Sequence, residues 1–227
     1  RPGADEGEET YGEDNGACTV KITAKGVEIR GDVHPVHGTS KSLLIKVLAD
    51  DTLQVDNRIT NHSEMIWSGG VWGLTCTLPR AGTTYGIPLG REGAWDIFVI
   101  GYPKTWGGGQ TSLVNDPAIR LTENCMLIKP KGRVSKKMVQ APQGIIGMTE
   151  PAEKISFLKR MDYVDGGDYP MGCNLAYYAG KKNFMLEMET MAPNQSVLPG
   201  ASITSRETWM LRKPVIWSKL KGVLKVD

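Results

Sequence analysis

No stretch of ten or more residues in this 227-residue chain has the apolar period of a helix, about 3.6 residues, whereas short runs of alternating apolar and polar residues recur throughout. A chain patterned in this way buries its apolar side chains by pairing strands and stacking the sheets, so the expected class is all-β. Across residues 18–30, Val20, Ile22, Val27 and Ile29 are separated by polar residues, as in a half-buried strand pair. A second pair spans 42–48 and 53–60, joined by a turn at Asp50 and Asp51. Residues 71–78, 94–100, 119–128, 144–148, 155–162, 174–179, 184–191 and 202–211 read as further strands. Residues 79–93 and 102–116 read as long loops, which inside a compact domain are more often functional than accidental.

Hydrophobic residues make up 40% of the chain and charged residues 23%, the balance of an ordinary globular protein. The net charge of +2 gives no domain-wide footprint of a nucleic-acid binder, so no such partner is expected. There is no run of about 18 apolar residues and no basic start followed by an apolar segment, so neither a membrane span nor a signal peptide is expected. The chain begins at Arg1 rather than Met, as a processed or truncated product would. That leaves the compartment open, with extracellular or periplasmic preferred to cytoplasmic, and the oligomeric state is not legible. Residues 1–16 read as an acidic tail or loop, 17–212 as a β-sandwich domain and 213–227 as a basic extension. Cys18, Cys76, Cys125 and Cys173 are widely spaced, without a CxxC pair or histidine cluster. They read as small reduced hydrophobes rather than zinc ligands, and a disulfide or two remains an alternative.

Chemistry concentrates in residues 184–191, FMLEMETM. Because strand side chains alternate, Phe184, Leu186, Met188 and Thr190 form one face, read as the core face, and Met185, Glu187, Glu189 and Met191 form the other. Two glutamates at i and i+2 stand about 7 Å apart, close enough to raise one another's pKa where water is partly excluded. Such a pair can supply a general acid or base; the plain alternative is a solvated strand face. Lys129, Lys131, Arg133, Lys136 and Lys137 read as a solvated basic loop or, alternatively, a patch that binds an anion or a polysaccharide. Trp67, Trp72, Trp95 and Trp106 lie in or beside the long middle loops, where they suit either a carbohydrate cleft or a sandwich core. Asp116 and Arg120 form either a polar clamp on a ligand or an exposed salt bridge.

Read onward, LEMETMAPNQSVLPGASITSRETWML resembles the C-terminal signature of the galactose-mutarotase-like superfamily. There a strand carrying a catalytic glutamate before threonine runs into a proline, a Leu-x-Pro-Gly turn and a last strand. The block 157–193 is similar to a pattern found in an uncharacterised branch of that superfamily. Residues 59–63, ITNHS, resemble the Thr-Asn-His segment that carries a catalytic histidine in aldose epimerases. The likeness is most specific over 157–211 and looser over 43–78.

The resemblance implies a β-supersandwich of galactose-mutarotase type, incomplete if the chain is a fragment. It also implies a carbohydrate partner, no cofactor, no metal, and chemistry at an anomeric carbon as in an aldose 1-epimerase. Glu189, which matches the Glu-Thr pair, or Glu187 would be the base, and His62 the acid acting on the ring oxygen. Asn61, Trp67, Trp72, Trp106, Asp116 and Arg120 would contact the sugar. The family's N-terminal His-Gly-Gly segment and sugar-holding arginine have no counterpart here, and His34 and His37 read as loop residues. The alternative function is a non-catalytic sugar-binding or scaffolding module of a polysaccharide-active system.

Overall fold

The computed structural model describes residues 16–90, 96–98, 116–221 and 224. Its seventeen described strands form a large antiparallel sheet of ten strands, a second sheet of five and a two-stranded ribbon. The large sheet takes the order β1(Cys18–Thr23), β2(Gly26–Gly31), β3(Thr39–Ala49), β4(Thr52–Asn61), β17(Ser202–Arg212), β13(Ile155–Met161), β12(Ile145–Glu150), β7(Thr84–Pro88), β10(Cys125–Ile128), β9(Ile119–Leu121). The smaller sheet takes the order β6(Trp72–Thr77), β15(Leu186–Met191), β14(Leu175–Ala179), β11(Ser135–Gln140), β8(Asp96–Phe98). β5(Trp67–Gly69) pairs with β16(Gln195–Val197). Among the described residues no helix is long and apolar enough to cross a membrane.

The two main sheets stack face to face, and the expected alternation places their side chains. Tyr85, Ile87, Met126, Ile128 and Ile146 of the large sheet meet Val139, Leu175, Tyr177, Leu186 and Met188 of the small one, all fully buried or nearly so. The smaller sheet has half as many strands, so the first hairpin of the large sheet lies beyond it. That is why β1, expected half-buried, is exposed, with Ile22 at 84%. The Asp50–Asp51 turn joins β3 and β4 as expected.

Three expectations need correction. Residues 79–93 are not one loop, because β7 runs through them inside the large sheet, between β12 and β10. Residues 119–128 are two strands, β9 and β10, folded back on each other. The basic stretch is only partly a loop, since Lys136 and Lys137 lie within β11.

Described residues beyond β17 pack on the far face of the large sheet. Trp217 is buried there with Cys125, Leu158 and Met210, against Val215 and Leu220. A Cβ on Gly86 would collide with the Trp217 indole, so glycine at that point of β7 makes room for the ring.

Candidate functional site

The strand β15 pairs with β14 on one side and β6 on the other, and direct register partners share a face. Leu186, Met188 and Thr190 point at the large sheet, as expected of the core face, whereas Phe184, expected with them, precedes the strand and is 58% exposed. The opposite face therefore carries Glu187 and Glu189 of β15, Trp72, Leu74 and Cys76 of β6, Ala176 and Tyr178 of β14, and Lys136, Met138 and Gln140 of β11.

Glu189 is 0% exposed and has partners for both carboxylate oxygens. The Lys136 ammonium donates to Oε1 at 3.0 Å and Oε2 at 2.9 Å, and the Trp72 indole Nε1 donates to Oε2 at 2.9 Å. The same ammonium lies 5.2 Å from the centre of the Trp72 ring, a cation–π geometry. Trp72 in turn packs against Met138, Cys173, Ala176 and Met191, an apolar floor at this end of the face. A charge so deeply buried is tolerated because it is paired and fully hydrogen-bonded.

Glu187, two residues back, is only half-buried. Burial raises its carboxyl above the usual glutamate value, the negative charge of Glu189 pushes the same way, and Lys136 opposes both. Its register partners feel it too. The Tyr178 phenol is raised by burial and then by Glu187, and the Cys76 thiol by burial, Glu187 and Glu189. The face thus carries one carboxylate tied to a cation and an indole and a second, half-open one whose pKa is raised, two environments of the unequal kind found in acid–base sites.

Beneath this face, between the sheets, Lys159 of β13 is completely buried. Its ammonium donates to the carbonyls of Gly73 at 3.0 Å and Met188 at 3.3 Å, to Thr75 Oγ1 at 3.0 Å, and pairs with Glu207 Oε1 at 3.2 Å. Burial pushes the Lys159 amine down and the Glu207 carboxylate opposes that. Glu207 completes its bonding with Thr190 Oγ1 at 2.6 Å and Trp209 Nε1 at 2.7 Å. Lys159 therefore ties together the backbones of the strands that hold Trp72 and Glu189. A Cβ on Gly73 would run into Glu207 Oε1, so the close approach of this pair to β6 requires glycine.

The structure brings together only some of the residues singled out in the sequence. Glu187, Glu189 and Trp72 share one face. Asn61 ends β4, and its amide is engaged with the carbonyls of Met65 and Val197 and with Ser63, which fixes a turn. His62 is exposed beside it, with Nε2 2.8 Å from Ser40 Oγ, and among the described residues no hydrogen bond links it to either glutamate. Trp67 packs with Val71, Ala192, Val197 and Ile203, at the end of β15 away from Glu187. Asp116 accepts from Ser135 Oγ and lies 3.5 Å from the Lys137 ammonium at the edge of the core, whereas Arg120 is exposed on β9. Trp95 and Trp106 lie outside the described residues.

The partners that sequence reasoning missed are Lys136, Tyr178 and Lys159. For Lys136 the signal was present, because Ser135 to Gln140 alternates once the lysine is allowed to face a carboxylate. Cys125 and Cys173 are buried and Cys18 and Cys76 exposed, and among the described residues no three metal-binding side chains converge.

Neither a family model nor a curated protein matches the sequence. Solved structures match by shape. A candidate aldose 1-epimerase from Escherichia coli K12 superposes with a TM-score of 0.60 at 12% identity, over 87% of this chain and 69% of that one. A galactose mutarotase-like protein from Lactobacillus casei ATCC 334 gives 0.57 at 12% identity, over 86% and 73%. A TPR-domain containing protein from Parabacteroides distasonis gives 0.55 at 12% identity, over 93% of this chain but 37% of that one. The chain has the fold of galactose mutarotase-like proteins, as the sequence resemblance implied, and it spans about two thirds of the first two.

Proposed function

We propose that this is a sugar-binding, mutarotase-like domain that interconverts the anomers of an aldose on the Glu187–Glu189 face of its smaller sheet. The observation that carries the reading is the contrast between the two glutamates: Glu189 is fixed by Lys136 and Trp72, while Glu187 is half-open with a raised pKa. Shape likeness to mutarotase-like proteins supports the fold on which such chemistry runs, and the chemistry itself is argued from the side chains.

In this reading the Glu187 carboxylate takes the proton of the anomeric hydroxyl. The bond between the anomeric carbon and the ring oxygen breaks, and the ring oxygen gains a proton from the Tyr178 phenol, which its raised pKa keeps protonated. Rotation about the next carbon–carbon bond presents the other face of the carbonyl, and reversal of the transfers closes the ring as the opposite anomer. Trp72, which is only partly buried, supplies aromatic surface for the sugar ring. This moves the base from Glu189, to which the sequence resemblance points, to its neighbour, because both Glu189 oxygens are already engaged. It also moves the acid from His62 to Tyr178. Exchange NMR on α/β mixtures of common aldoses tests the reading: the intact protein accelerates anomer exchange and Glu187→Gln does not.

A second reading, a sugar-binding module without catalysis, is favoured by the complete internal satisfaction of Glu189 and by the match to a part of a longer TPR-domain protein. Saccharide binding that is unchanged in both Glu187→Gln and Glu189→Gln, without anomer exchange, selects it.

A further inference from the structure

Two turns at one end of the smaller sheet are clasped together. The crossing from β10 to β11 and the hairpin between β14 and β15 meet where the Lys182 amide donates to the Gly132 carbonyl at 2.8 Å and the Gly132 amide donates to Asn183 Oδ1 at 2.7 Å. Lys182 and Asn183 both hold a φ of 55°, a left-handed turn conformation that fixes the hairpin tip against its neighbour. The clasp carries Lys129, Lys131, Arg133, Lys181 and Lys182, all exposed, and neither turn contains an acidic residue. Among the described residues none of these five cations is in an ion pair. A protein of net charge +2 has thus concentrated positive charge on one small rigid surface.

The position of this surface points to what it meets. Ser135, Ala179 and Leu186 end β11, β14 and β15 at the clasp, so the next residues along the outer face are Lys136, Tyr178 and Glu187. Phe184, on the hairpin itself, is 58% exposed, and its ring lies against Gly180, leaving an apolar aromatic surface among the cations. Cations and an aromatic platform therefore continue directly into the row that bears Glu187. The two glutamates repel an anionic group from that row, whereas the clasp attracts one.

We infer that the clasped turns are a subsite for the acid groups of an anionic polysaccharide, whose neighbouring sugar unit reaches the Glu187 row. The inference rests on the sugar-binding reading above and names its substrate class: a glycan bearing carboxylates or sulfates. A nucleic acid is disfavoured because the clasp offers a single exposed aromatic ring, Phe184, and among the described residues its cations do not continue into a basic groove along which a phosphate backbone could run. The cations occupy one tight clasp and do not spread over a broad face, which suits discrete acid groups better than an anionic lipid surface.

Affinity electrophoresis of the full chain tests this, with gels containing polygalacturonate, dextran sulfate, neutral dextran or single-stranded RNA, and with phosphatidylserine vesicles in a parallel sedimentation assay. The expected result is retardation by polygalacturonate or dextran sulfate, with the stronger of the two identifying carboxylate or sulfate as the preferred group, and none by neutral dextran. The triple variant Lys131→Ser, Arg133→Ser, Lys182→Asn changes exposed side chains only and weakens retardation roughly tenfold or more, as loss of three charge contacts should. The variant Lys213→Ser, Lys219→Ser, Lys221→Ser, in the basic segment on the far face of the molecule, retains full retardation. No retardation by either acidic glycan, equal retardation of the clasp variant, loss confined to the far-face variant, or stronger binding to RNA or vesicles at the same salt would each overturn the subsite. Clasp-dependent retardation without anomer exchange upholds the subsite and removes the catalytic reading alone. Anomer exchange without retardation does the reverse.

Discussion

Lys136 and Glu189 form a nearly buried ion pair on the outer face of the smaller sheet, at 2.9 Å, with the lysine side chain 14% exposed and the glutamate 0%. Their strands are not neighbours, since β14 lies between them, so the lysine spans a strand to reach the carboxylate. The pair fixes a full negative charge beside Glu187 and holds the Trp72 indole in place.

Replacing Lys136 by Met leaves the Glu189 carboxylate buried with only the indole as partner. The expected cost is about 3–5 kcal/mol of unfolding free energy at neutral pH, the range for removing one partner of a buried pair. Urea denaturation followed by far-ultraviolet circular dichroism measures it, with quenching of Trp72 fluorescence as a local report.

The raised pKa of Glu187 makes a pH-dependent prediction. A carboxyl whose folded pKa exceeds its unfolded value of about 4.5 binds its proton more tightly when folded, so it costs nothing below that value and destabilises increasingly as pH rises through the folded pKa. Glu187→Gln removes that cost. The variant is therefore expected to match wild type below about pH 4.5 and to melt at a higher temperature at pH 7 and above. A melting-temperature difference that is flat across this range contradicts the assignment.

Lys159 and Glu207 behave as a unit beneath the site. Lys159→Met alone leaves Glu207 uncompensated between the sheets and is expected to cost about 3–5 kcal/mol. Lys159→Met combined with Glu207→Leu removes both charges and is expected to recover much of that loss, which a double-mutant cycle on unfolding free energies resolves. Thr190 and Trp209 lose an acceptor in the double variant, so recovery is partial.

Much of the architecture was legible because strand pairing follows from alternation. The face assignment of residues 184–191 is local information, and it places Leu186 and Met188 in the core and Glu187 and Glu189 opposite. What was not legible depends on partners distant in sequence. β7 contains Gly86 and Pro88 and reads as loop until Trp217, far along the chain, is seen to occupy the space above Gly86. Lys136 and Lys137 read as a solvated pair because consecutive lysines are normally exposed. In β11 they point to opposite faces, one to Glu189 and one to Asp116. The Thr-Asn-His resemblance located a real turn, since Asn61 ties it down, and among the described residues no hydrogen bond links that turn to the glutamates.

The same glycine supports a packing prediction. Gly86→Ala places a methyl group against the Trp217 ring and is expected to destabilise the fold by about 1–3 kcal/mol, the usual cost of overpacking. Gly86→Ala combined with Trp217→Leu should lose less than the sum of the two single changes. Thermal unfolding of the four proteins measures the coupling.

The central claim, that the Glu187 row of the smaller sheet works on a sugar, is tested most directly by exchange NMR of α- and β-anomers in the presence of wild type and Glu187→Gln. The account predicts accelerated exchange with wild type, falling by roughly a hundredfold or more in the stably folded variant, as loss of a general acid–base group does. Equal rates with and without the wild-type protein across neutral and uronic aldoses, or undiminished acceleration by Glu187→Gln, would contradict it.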